Sequence, residues 1–151
     1  MPENRGTYLL FLSTLHDINL SIGALGSFSF KRGNYIYIGS ALGPGGLDKR
    51  LSRHLKQEKK IFWHIDYLLQ NEFVNIIAFG EIHSDQKIEC SLVEQIIKIF
   101  EEKTTNIKNF GSSDCKCKSH LLFFRELTIN ELTKRLVKEM EYLQLTITQV
   151  M

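Results

Sequence analysis

Five side chains of this 151-residue chain have types and spacings suited to chemistry at a phosphate. Tyr8 and Tyr37 sit in β-rich runs close to glycine, in Gly6-Thr7-Tyr8 and Tyr37-Ile38-Gly39. Arg50 and His54 are four residues apart in a helical pattern, so both project from one edge of its stripe on successive turns. Glu89 stands in the first turn of a later helical pattern. Hydrolysis of a phosphodiester needs an activated water, neutralised phosphoryl oxygens and a stabilised leaving oxygen. A guanidinium grips phosphate oxygens in a fork and stays charged at any working pH, the role we assign to Arg50. One carboxylate with water and phosphate oxygens is enough to hold Mg²⁺, which needs no all-protein cage, and Glu89 supplies one. The base is open between phenol and imidazole. A free phenol titrates at about 10 and needs a cation to lower it, whereas His54 has an unperturbed value near 6.5.

Each of these residues also has a structural reading. The tyrosines suit a sheet core, Arg50 and Arg53 a solvated surface, and Glu89 the positive end of a helix dipole. His64 and Asp66 fall in an aromatic segment and read as a hydrogen-bonded structural pair. Around Arg50 the charge is uneven. Lys49, Arg50, Arg53, Lys56, Lys59 and Lys60 face only Asp48 and Glu58, a cationic surface of the kind that neutralises phosphates or else a solvated helix face.

The elements that must position these residues follow from periodicity. Gly6–Ser13 reads as a buried strand, and a second extended piece runs through Leu20–Leu25 until Gly26 breaks it. Phe28 and Phe30 alternate with serines, Gly33-Asn34 offers a turn, and Tyr35–Gly39 is another strand. The glycine-rich loop Gly39–Gly46 lacks the Lys-Ser/Thr ending of a phosphate-binding P-loop and delivers the chain into a helix. Leu47, Leu51 and Leu55 mark the buried stripe of that helix. Phe62–Leu69 reads as helical, Phe73–Ile82 as a strand, and Ile88–Glu102 as an amphipathic helix led in by Ser84 or Asp85. Asn106–Lys118 is a polar loop and Ser119–Phe124 a strand. Thr128 to Glu131 is a capping box opening a last helix with Leu132, Leu136, Met140 and Leu143 inward. The fold class expected is α/β (α+β), a small central antiparallel sheet flanked by helices.

The motifs resemble a known family. Gly6-Thr7-Tyr8 looks like the first signature of the GIY-YIG nuclease superfamily, and Tyr37-Ile38-Gly39-Ser40-Ala41 is similar to the second with its usual continuation. Arg50-Leu51-Ser52-Arg53-His54 resembles the superfamily's helix, in which histidine or tyrosine follows arginine by four. Glu89-Cys90-Ser91-Leu92-Val93 looks like its Glu-x-x-Leu-Ile helix, while Glu94 is one position off that spacing. Arg53-His54-Leu55, Trp63-His64-Ile65-Asp66-Tyr67-Leu68 and Gly111-Ser112-Ser113-Asp114-Cys115 with His120-Leu121 look like its Uri-type, DUF123-like branch. The likeness covers roughly residues 6 to 124. Thr7 stands where isoleucine is usual, and the gap from Tyr8 to Tyr37 is long, which an inserted hairpin around Leu20 to Phe30 would explain. The superfamily's late asparagine has only Asn106 and Asn109 as weak counterparts. The resemblance implies an endonuclease that hydrolyses DNA with Mg²⁺ or Mn²⁺, catalytic residues Tyr8, Tyr37, Arg50, His54 and Glu89, and Glu89 on the metal. Contacts to nucleic acid would come from Ser40, Lys49, Arg53, Lys56, Lys59 and Lys60. A non-catalytic nucleic-acid-binding module on the same scaffold is the alternative, and a zinc-stabilised structural protein ranks last.

Composition bounds the rest. With 43% hydrophobic and 24% charged residues and two prolines, the chain reads as one globular domain over residues 1–151, its core about 6–125 and its last helix about 129–143. A net charge of +2 excludes a strongly basic nucleic-acid coat. The first residues lack the pattern of a signal peptide, and no run of about 18 apolar residues implies a membrane partner. Cys90, Cys115 and Cys117 are odd in number, which suits a reducing cytosol, and the cytoplasm is the expected location. Cys115, Cys117 and His120 would need Cys90 or His64 to complete a zinc site. Their Cys-x-Cys spacing is not the common one, so buried or redox-inert thiols are the reading preferred. Specificity is left to substrate shape, a homodimer or a DNA-binding partner protein.

Overall fold

The run Tyr8–Leu12 is buried along its whole length, which requires a strand covered on both faces. It forms the middle of β1 (Gly6–Thr14), flanked by β4 (Gly33–Ala41) and β5 (Val74–His83), both antiparallel to it. The structure is a computed structural model and describes residues 4–56, 60, 61, 63–107, 110 and 119–150. The six-stranded sheet runs β6-β7-β4-β1-β5-β8, with β6 at Thr104–Asn106, β7 at Leu121–Phe124 and β8 at Thr146–Gln149, every neighbour antiparallel. A separate hairpin pairs β2 (Ile18–Ser21) with β3 (Ser27–Phe30), the insertion expected between the two tyrosine motifs.

Strand alternation sorts the side chains into two cores. Tyr8, Leu10 and Leu12 of β1 and Tyr35 and Tyr37 of β4 face one side. There they meet Leu47 and Leu51 of α1 (Gly46–Leu55), Ile65 and Leu68 of α2 (His64–Leu69), and Ile18, Ile22 and Phe30 from the hairpin segment. Leu9, Phe11, Ile36 and Ile38 face the other side, against Leu92, Val93 and Ile96 of α3 (Glu89–Phe100) and Leu132 and Leu136 of α4 (Ile129–Glu139). Among the described residues no helix is long and apolar enough to cross a membrane.

Several local expectations change. Leu55 is exposed and His54 is buried, because α1 ends at Leu55 and its inward face runs Leu47, Leu51, His54 at helical period. Gly33-Asn34 begins β4 instead of making a turn, and the extended piece after Ile18 ends at Ser21, followed by a 3₁₀ turn at Gly23–Leu25. Ile88 precedes α3 without a side-chain cap, since the Ser84 hydroxyl accepts from the Gln86 N–H instead. Asn106 is in a strand rather than a loop. Leu143 lies beyond α4 in a 3₁₀ turn, and β8 is an unexpected strand, because Thr-Ile-Thr-Gln is a short, mostly polar edge with no period to mark it.

The capping box at α4 forms as expected. Thr128 Oγ1 accepts from Glu131 N–H at 3.1 Å, and Glu131 Oε1 accepts from Thr128 N–H at 3.0 Å. These bonds to the Thr128 backbone and hydroxyl hold the Glu131 carboxyl below its ordinary range. Thr128→Ala should lower stability by about 1 kcal/mol in urea unfolding. A depressed carboxyl contributes above its unfolded value and loses that contribution as pH falls, so Glu131→Gln should flatten the acid side of the stability profile.

Candidate functional site

Tyr8 lies across β4, directly opposite Gly39. A Cβ at Gly39 would stand 2.4 Å from the Tyr8 ring, so glycine is what lets the phenol pass over the neighbouring strand. The hydroxyl ends 2.7 Å from His54 Nε2, with both residues almost fully buried. Tyr37 completes an aromatic triangle, its ring centroid 6.4 Å from Tyr8 and 6.4 Å from His54. One turn before His54 on α1, Arg50 Nη1 donates to the Ser40 carbonyl at 2.9 Å.

Burial pushes the Tyr8 phenol well above its ordinary value, and the neighbouring Tyr37 adds to that, while the charge and hydrogen bonding of Arg50 act in the opposite sense. Tyr8 therefore keeps its proton at neutral pH. In the tautomer with Nε2 unprotonated it donates that proton's hydrogen bond to His54.

A second layer of contacts fixes the cations. Asp66, with a fully buried side chain, accepts from Arg53 through Oδ1 at 3.0 Å and Oδ2 at 2.8 Å, a bidentate fork. Its Oδ2 also accepts from the Trp63 N–H at 2.9 Å, ahead of α2. The Trp63 ring lies beneath both guanidiniums, 4.6 Å from Arg50 and 4.3 Å from Arg53, and 5.5 Å from the His54 ring. The expected His64–Asp66 pair is replaced: residues two apart on a helix do not face each other, Asp66 serves Arg53 and Trp63, and the His64 ring packs on Phe110. Sequence reasoning placed Trp63 in a motif of the family resemblance but gave it no role at the site, because an indole stacked under two arginines is set by tertiary packing.

Glu89 is placed differently. It sits in the first turn of α3, on the layer across the sheet from α1, and is 4% exposed. Its Oε2 is buried without a hydrogen bond, and Oε1 is 3.9 Å from Lys87 Nζ. The next residue, Cys90, is disulfide-bonded, contrary to the thiol expected, with Sγ 3.9 Å from His120 Nε2. The His120 carbonyl accepts from Ile38 N–H on β4 at 2.9 Å, so the start of α3 is tied to the strand that carries Tyr37. Burial, helped by the Lys87 charge, holds His120 below the ordinary histidine range.

The structure thus brings Tyr8, Tyr37, Arg50 and His54 together with the Ser40 backbone, and does not bring Glu89 into contact with them, since α3 packs on the other face of the sheet. Lys49, Lys56 and Lys60 are exposed around α1, and the Arg53 guanidinium is engaged by Asp66 and the Lys60 carbonyl. Lys59, Asn109, Cys115 and Cys117 lie outside the described residues. Asn106 is on β6 with its Oδ1 buried and unbonded. Among the described residues no three His, Cys, Asp or Glu side chains converge as a metal cluster.

Two outcomes follow. The unfolded chain releases a tyrosine proton near pH 10 while folded Tyr8 retains it, so stability should fall as pH rises through about 10. Tyr8→Phe should reduce that loss in urea unfolding compared between about pH 9 and 11. Asp66→Ala strips a buried carboxylate from both Arg53 and the Trp63 N–H and should cost about 2–4 kcal/mol, read by the same method.

No curated protein and no solved structure matches this chain. One family profile does, over residues 7–142, a span that takes in every candidate site residue and runs from β1 to the turn beyond α4. The chain belongs to the family described as domain of unknown function DUF123.

Proposed function

We propose that this protein is a divalent-metal-dependent endonuclease of GIY-YIG type that hydrolyses phosphodiester bonds in DNA. The observation that carries the reading is the buried Tyr8–His54 hydrogen bond with Arg50 on the same edge of α1, in the chain order of the motifs that resemble that superfamily. Arg50 is the group that binds the phosphoryl oxygens; its guanidinium is oriented by the Ser40 carbonyl and the Trp63 ring. The Tyr8 hydroxyl oxygen takes a proton from the attacking water as its own proton passes to His54 Nε2, so His54 is the base and the phenol stays neutral. Tyr37 shapes the apolar wall beside them. Lys49, Lys56 and Lys60 lie around α1 as contacts for the nucleic-acid backbone.

Glu89 fits a divalent cation on one observation, the buried Oε2 that has no hydrogen bond in the protein. Mg²⁺ or Mn²⁺ held there would neutralise phosphate charge and make a bound water more acidic. The non-catalytic binding module is favoured by a single feature, Lys87 Nζ at 3.9 Å from the other Glu89 oxygen, a cation already near the carboxylate.

Cleavage of labelled duplex, nicked, branched and single-stranded DNA with Mg²⁺ or Mn²⁺ separates the readings. The wild type should cut at least one of these, and Arg50→Ala and Glu89→Ala should each lose about 100-fold or more with the fold retained. Salt-dependent binding without cleavage by the wild type would transfer the assignment to the binding module. Equal activity in wild type and variants would refute the site.

A further inference from the structure

The sheet face that holds the candidate site continues past it. Tyr35 stands two residues before Tyr37 on β4 and on the same face, about 7 Å away along the strand. Beside Tyr35 opens a cavity of about 350 Å³, near the lower limit for small-ligand sites. Its aromatic wall is Phe123, directly opposite Tyr35 in the β4–β7 ladder, with ring centroids 4.9 Å apart. Tyr35 is fully buried and its hydroxyl donates to the Lys31 carbonyl at 2.6 Å, so it forms a rigid floor. Phe123 is only half-buried and keeps ring surface towards the cavity. Lys31 and Arg125, both exposed, stand at the rim, and neither makes an ion pair among the described residues. Thr105 and Glu102 supply a hydroxyl and one carboxylate.

An aromatic wall, polar groups suited to the edge of a heterocycle, and two cations at the mouth match one chemical class. We propose that this pocket binds a single unstacked nucleobase, its phosphate held by Lys31 and Arg125. The ring would stack on Phe123, an interaction available to every base because each has a π face. The Glu102 carboxylate and the Thr105 hydroxyl would meet exocyclic amino and carbonyl groups. The occupant is a nucleotide, either free or one residue of a strand. The strand case rests on the proposed function, since the pocket is lined by Tyr35, two residues before Tyr37 on β4, and would take a base along the strand from the phosphate being cut.

Amide chemical shifts of the whole 151-residue chain in metal-free buffer, where cleavage does not occur, provide the test. The probes are inorganic phosphate, deoxyadenosine monophosphate and a short single-stranded oligodeoxyadenylate. The nucleotide and the oligonucleotide should shift the amides of Tyr35, Thr105 and Phe123, which phosphate alone should leave in place. Tighter binding of the oligonucleotide marks a strand as the occupant, and equal binding marks the free nucleotide. Phe123→Leu should weaken the nucleotide about tenfold. If that variant does not fold, the surface change Arg125→Glu should weaken it as well. Shifts confined to α1 would overturn the pocket while leaving the nuclease reading intact. Shifts nowhere, or undiminished nucleotide binding in the folded variants, would overturn the pocket and leave the nuclease reading to the cleavage assay.

Discussion

The hydroxyl of Tyr8 is buried in the middle of a sheet that is covered on both faces, and a buried hydroxyl left without a partner costs about 1–3 kcal/mol. His54 answers that demand at 2.7 Å, and much of the local sequence serves the contact. Gly39 clears the strand beneath the phenol. α1 is phased so that His54, not Leu55, turns inward. One hydrogen bond therefore couples strand register, helix phase and a pair of groups able to exchange a proton.

The second organising element is the way two guanidiniums are kept close together. Arg50 and Arg53 share the Trp63 indole, an arrangement in which like charges repel. The fully buried carboxylate of Asp66 neutralises Arg53 through both oxygens and anchors the tryptophan backbone. Arg50 has no such carboxylate in its contacts with the Ser40 carbonyl and the indole, so it is the member of the pair suited to meet an anion. The Arg53 guanidinium is taken up by Asp66, the Lys60 carbonyl and the indole.

Much of this was legible in the sequence where local period decides the outcome. The buried run of Tyr8 to Leu12, the strand through Tyr35 to Ile38 and the capping box of α4 are local patterns, and they formed as read. The inserted hairpin followed from a chain too long between two fixed motifs. What failed was set by tertiary partners. Leu55 and His54 trade places because Tyr8 needs an acceptor, Asp66 turns to an arginine thirteen residues earlier, and β8 exists only through pairing with β5. The position of Glu89 on the α3 side of the sheet was likewise beyond a one-dimensional reading, since motif order carries no information about which face a helix covers.

That placement makes the union of Glu89 with the Tyr8–His54–Arg50 cluster the central claim. Paramagnetic broadening by Mn²⁺ of the five histidine ring signals tests it directly, with His120 beside Cys90 as the near reference and His16 as the comparison on the hairpin side. The account predicts that His54 broadens soon after His120 and well before His16, and that Glu89→Gln abolishes the order. Broadening of His54 no faster than His16, or broadening that persists unchanged in Glu89→Gln, would show that the carboxylate and the tyrosine–histidine pair do not share a site.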